Sequence, residues 1–186
     1  MTELLNPFQK EFGPPSKQAA GKIRNDLGSW AQRFIRQSSF LVMATSDTEG
    51  KCDASPKGGK PGFVKIIDEK HLILPDIAGN RLFQSYANIQ SNPHVGLVFF
   101  IPGVDGTVRV NGTARRFSRE DIAKENIEME IFDPDEEAKI LQGLYITVEE
   151  SYSHCPRSSI FSRVWDPEVI VRHKSDPPIE KWKPGA

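Results

Sequence analysis

The chain has 186 residues, 38% hydrophobic and 26% charged, with a formal net charge of −1. This supports one domain over residues 1–186, with its core at about 20–167 and extended ends, and gives no compositional ground for a second domain. It excludes a strongly basic nucleic-acid binder, no apolar run reaches the roughly 20 residues of a membrane span, and the N-terminal segment has neither a basic start nor an apolar signal core. A cytoplasmic protein with no nucleic-acid or membrane partner is expected, and Cys52 and Cys155 should be free thiols there.

A short leader ends at Gly13 to Pro15. In residues 19–37, Ile23, Leu27, Trp30, Ala31 and Phe34 recur at three- and four-residue steps, the spacing of an amphipathic helix. Residues 38–46 are apolar and β-branched, 47–50 make a turn, and 51–55 start a return strand, so a hairpin is expected. The segment 53–63, DASPKGGKPGF, then reads as a rigid cationic loop between strands. Two short strands follow, GFVKIID and HLILPD, and then a helix starting near Asn80, with Leu82, Phe83, Tyr86 and Ile89 on one face and a stop at Asn92-Pro93. HVGLVFFIPG and GTVRVNGTARRF are expected as central antiparallel strands. Residues 118–140 are charged and read as helix with an Asp-Pro break, LYITVEESYSH returns to strand, and a short helix leads to Trp165 before a Pro- and Lys-rich tail. Six or seven short strands with brief connections predict a mainly β (α+β) fold, a small antiparallel barrel with helices at its ends.

Four constellations carry possible chemistry. Around Ser55, Lys57 and Lys60, glycines admit backbone N–H groups to a ligand and lysine supplies a point charge for an anion, although such loops are commonly just solvated turns. Gly79-Asn80-Arg81 stands where a predicted helix begins, so orphan N–H groups and a guanidinium suit phosphate; the alternative is a plain N-cap beside a surface charge. Thr107, Arg109 and Asn111 share a strand face opposite Val108 and Val110, which must meet water, a partner subunit or a ligand. In the C-terminal group, Cys155 reads as structural, Trp165 could stack on a planar ligand or simply pack, and the isolated histidines His71, His94 and His173 predict no metal site. No nucleophile elbow, Walker loop, GxGxxG or HExxH occurs, so difficult chemistry would fall to a bound cofactor.

The ordered motifs SFLVMATSD, DASPKGGKPGFVKIID, LILPDIAGNRLFQSYANIQSNPHVGLVFFIPG and TVRVNGTARRF resemble the pyridoxamine 5'-phosphate oxidase-like family of FMN-binding split-barrel proteins. The likeness is strong over residues 38–117, and SYSHCPRSSIFSRVW extends it to about Pro167. The resemblance implies a split antiparallel β-barrel with flanking helices, and a homodimer with FMN in clefts at the subunit interface. It implies that Ser55, Lys57 and Gly58 border the flavin, and that Phe63, Val64 and Lys65 form a strand along the isoalloxazine. Pro75, Asp76, Asn80 and Arg81 would sit near the ribityl phosphate, Arg109 and Asn111 would face the cofactor across the barrel, and Arg163 and Trp165 would close the site. The sequence departs from the oxidase itself: Lys65 stands for an arginine, Gly79-Asn80-Arg81 for a Ser-Arg-Lys signature, and Thr107 for a glutamine. The implication therefore stops short of vitamin B6 oxidation.

The resulting expectation is an FMN-dependent oxidoreductase exchanging a hydride through flavin N5 with a small molecule, with Lys57 or Lys65 near the N1/C2 edge. The alternatives are a non-catalytic flavin carrier or redox sensor, a barrel using a deazaflavin, one using haem with His94 or His154 as axial ligand, or a cofactor-free structural dimer.

Overall fold

The computed structural model describes residues 5–181 and 183; the ends of the expected leader and tail, 1–4, 182 and 184–186, lie outside the described residues. Seven strands form one antiparallel sheet: β1 (Phe40–Ser46), β2 (Cys52–Gly58), β3 (Lys65–Ile66), β4 (His71–Ile77), β5 (His94–Phe100), β6 (Thr107–Phe117) and β7 (Ile140–His154). Their order, β2-β1-β5-β6-β7-β4-β3, leaves β2 at one edge and β3 at the other, so the barrel is split rather than closed. Helices α1 (Pro7–Phe12), α2 (Lys17–Ala20), α3 (Ser29–Gln37), α4 (Gln84–Ser91), α5 (Arg119–Lys124), α6 (Arg157–Ser162) and α7 (Pro167–Ser175) flank it.

Alternation along the strands builds the core. Leu41 and Met43 of β1, Leu97 and Phe99 of β5, and Val108 and Val110 of β6 all point to one side and are essentially buried, joined by Ile35 of α3. Removing such side chains from water contributes about 1.5–3 kcal/mol each. In β7 the parity changes at a bulge, where Asn111 of β6 pairs with Glu150 and Gly112 with Val148, leaving Glu149 unpaired. A Cβ at Gly112 would collide with the Thr147 carbonyl, so only glycine fits the bulge.

Several expected elements differ. The helix over 19–37 is two helices, because Gly21 and Gly28 bracket a segment rich in poor helix formers that is captured by the sheet instead. There Arg24 and Ser151 exchange backbone hydrogen bonds at 3.0 and 2.8 Å, and Leu27 is buried while Ile23 and Trp30 remain exposed. The strand expected through Phe63 and Val64 is confined to Lys65–Ile66, since both preceding side chains turn into the core. Of the charged segment 118–140 only α5 is helical, and the leader and the region after Trp165 contain α1 and α7. Residues 53–58 of the expected loop are edge strand, paired from Thr45↔Asp53 to Phe40↔Gly58. Pro56 is tolerated there because an edge strand has one side on which no N–H is needed.

Candidate functional site

The split creates a cleft. On β2 the residues Asp53, Ser55 and Lys57 share one face, opposite Thr45, Met43 and Leu41 of β1, and so point to the core side of the sheet at its open edge. Facing them are Asp76 and Ile77 at the end of β4, the stretch 79–83 and the first turn of α4; the enclosed cleft is ≈ 270 Å³.

The entry to α4 is not the expected one. Asn80 does not cap the helix: its Oδ1 accepts from the Leu82 N–H at 3.1 Å, a local turn that competes with helix, and α4 begins only at Gln84. Phe83 occupies the N-cap position in the left-handed region (φ 52), as does Arg81 (φ 58), and no side chain caps the helix. Left-handed backbone costs a non-glycine residue roughly 1–2 kcal/mol, and the two instances coincide with the cleft wall. The orphan N–H groups of the first turn thus stay available beside Arg81.

Polar bonds hold α4 against the hairpin. Ser85 Oγ donates to Asp53 Oδ2 at 2.6 Å, Asn88 Nδ2 to Thr45 Oγ1 at 3.0 Å, and Asn92 Nδ2 to Ser46 Oγ at 3.0 Å. The charge balance is mixed. Burial pushes the Asp76 carboxyl above the usual carboxylate range, opposed by the Lys57 ammonium and by hydrogen bonding to Gln142 and Tyr86. Burial, reinforced by Asp76, raises the Tyr86 phenol far above its ordinary value. The cleft can therefore offer an anion Lys57, Arg81, the Ser55 and Asn80 side chains and an uncapped helix start, with Asp76 as an adjustable acid beside them.

Five residues singled out from the sequence meet here: Ser55, Lys57, Asp76, Asn80 and Arg81. Gly58 and Pro75 are immediate chain neighbours of the wall, Pro75 itself being buried in β4. Phe63 and Val64 do not line the cleft; at 5% and 2% exposure their side chains belong to the core. Lys65 instead pairs with Glu130 at 3.4 Å. Arg109 and Asn111 do share a strand face, as their parity requires, but it is the outer face, where Arg109 donates to the Tyr152 hydroxyl at 3.2 Å and Asn111 to Glu150 at 2.8 Å. Arg163 pairs with Asp166 at 2.5 Å, and Trp165 lies nearby with a buried indole N–H that has no partner among the described residues. His94 and His154 also lie outside the cleft. Among the described residues no group of three His, Cys, Asp or Glu could hold a metal ion. Sequence reasoning missed Asp53 and Ser85 as partners. The period-two spacing of Asp53, Ser55 and Lys57 carried that signal, but the prolines and glycines around it read as loop.

A family model described as pyridoxamine 5'-phosphate oxidase matches residues 30–155. No curated protein matches significantly. Two solved structures share the fold: a variant of HupZ from Group A Streptococcus (18% identity, TM-score 0.51, 69% of this chain and 99% of that one) and a putative pyridoxamine 5'-phosphate oxidase from Lactobacillus delbrueckii (23% identity, TM-score 0.51, 69% and 95%).

Proposed function

Since the chain belongs to the pyridoxamine 5'-phosphate oxidase family, we propose that it is an FMN-binding flavoprotein and an oxidoreductase acting on a small molecule. The observation that carries this reading is the convergence of Ser55, Lys57, Asn80 and Arg81 on an uncapped helix start at the seam of the split barrel. That donor set fits a phosphomonoester: the helix start and hydroxyl donate hydrogen bonds, while lysine and arginine supply charge.

FMN, when bound, supplies hydride exchange at N5 of its isoalloxazine. The residues of the chain bind and orient it. Lys57 neutralises negative charge inside the cleft, Arg81 is presented by its left-handed backbone, and Ser85 keeps the α4 start against β2 through Asp53. Burial disfavours the charged forms of Asp76 and Tyr86, which stand adjacent at the far wall. Two copies of the chain pair through the outer sheet face, bringing Arg109, Asn111, Arg163 and Trp165 toward a partner's site.

The test is the visible spectrum of the purified protein, identification of any chromophore released on denaturation, and titration with FMN if the preparation is colourless. Oxidised-flavin maxima with FMN released support the reading. No colour and no saturable FMN binding overturn it. Lys57→Ala should weaken FMN affinity at least tenfold with little change in Tm, the size expected for one charge-assisted contact; unchanged affinity would remove Lys57 from the site.

A further inference from the structure

Beside the cleft lies a second and larger cavity, ≈ 830 Å³, whose walls are mainly apolar. Phe83, Tyr86 and Ile89 of α4 and its approach form one side, and Pro93 and Ala114 form the floor. Phe83 and Tyr86 line both cavities, so this space adjoins the phosphate-suited cleft. The rim carries the guanidiniums of Arg115 and Arg116 from the end of β6.

Both guanidiniums are held by neutral neighbours. Arg115 stacks 4.4 Å from the Tyr145 ring centroid, and Arg116 Nε donates to Gln142 Oε1 at 2.7 Å, which fixes the group while leaving its remaining N–H donors free of that bond. Neither forms a salt bridge among the described residues, and Arg115 contributes to holding the Asp121 carboxyl of α5 below its ordinary value. An apolar cavity within the roughly 300–1,000 Å³ range of small-molecule sites, with cationic forks at its mouth, recognises a flat hydrophobic body carrying one anionic group.

We propose that this cavity is the substrate subsite, and that the substrate class is an aromatic or otherwise planar carboxylate seated against Phe83 and Tyr86 with its anion on Arg116. Its role as a substrate site rests on the FMN reading of the adjoining cleft; the binding of such an anion does not. Arg116 is assigned as the anion contact, and Arg115, stacked on Tyr145, as the neighbour that raises the local potential.

The experiment uses 2-naphthoate and its uncharged analogue 2-naphthamide as probes, titrated calorimetrically into the full-length protein with and without added FMN, while FMN binding is read separately from its spectrum. Naphthoate should bind saturably and at least tenfold more tightly than naphthamide. Arg116→Gln should remove that tenfold preference without changing FMN affinity. Ala87→Trp, at an exposed helix position lining the cavity, should abolish binding of both probes and leave FMN affinity unchanged. Equal affinity for the two probes, or naphthoate binding that survives Ala87→Trp, overturns the proposal. FMN binding without naphthoate binding overturns the subsite and spares the cofactor reading. Arginine-dependent naphthoate binding without FMN binding sustains the anion site and overturns its adjacency to a flavin.

Discussion

Asp76 shows how the fold uses one side chain against its own preference. Its carboxyl is half-buried at the end of β4, and desolvation outweighs the help of Lys57, Gln142 and Tyr86, so its folded-state pKa lies above the unfolded one. The associated stability is present below the ordinary carboxylate range and lost as pH rises through the elevated value. Asp76→Asn should therefore raise Tm relative to wild type at neutral pH, and the difference should shrink to nothing in acid; thermal melts across that window check it. Gly112 is constrained differently, by a backbone approach that leaves no room for a Cβ beside the Thr147 carbonyl. Gly112→Ala must shift β6 or β7 and should cost about 1–3 kcal/mol or more, read from denaturant melts.

The placement of α4 decides whether the cleft exists. The helix has only 8 residues and two buried side chains, Ser85 and Ile89, too little to fix its entry angle by apolar packing alone. Its alignment comes from the three side-chain bonds to the β1–β2 hairpin. Ser85→Ala leaves the Asp53 carboxylate without that partner and should lower stability by about 0.5–1.5 kcal/mol. It should also weaken FMN binding, because the first-turn N–H groups lose their fixed position. Calorimetric titration of the folded variant checks this; unchanged FMN affinity would show that the hairpin bonds are purely structural. The two left-handed residues at the approach fit the same picture, in which a turn that costs energy in the chain presents Arg81 and the helix start to one volume.

The sheet has two faces of unequal fate. One is buried under α3 and the inward-turned Phe63 and Val64, while the other carries Val42, Val98 and Phe100, only partly covered, beside Arg109 and Tyr152. An apolar sheet face left half-covered is suited to a second copy of the chain. Light scattering should give a dimer, and Val98→Asp, which places a charge in the middle of that face, should give a folded monomer with impaired FMN binding. A monomeric wild type would overturn the pairing. Among the described residues no helix is long and apolar enough to cross a membrane.

The strand alternation of β1, β5 and β6, the hairpin at 47–50, the antiparallel class and the basic character of Lys57 and Arg81 were legible in the sequence, because they follow from local periodicity and residue chemistry, whereas the split of the barrel was implied only by the family likeness. The family likeness was legible in the order of its motifs, which the match over residues 30–155 bears out. Three features depended on tertiary contacts. Segment 21–28 left the helical pattern because pairing with Ser151 competes with weak local propensity, and Phe63 and Val64 left their strand because the core needed filling. The cleft itself joins β2, at one edge of the sheet, to the end of β4, the last strand but one at the other side, and no local pattern encodes how far those strands remain apart.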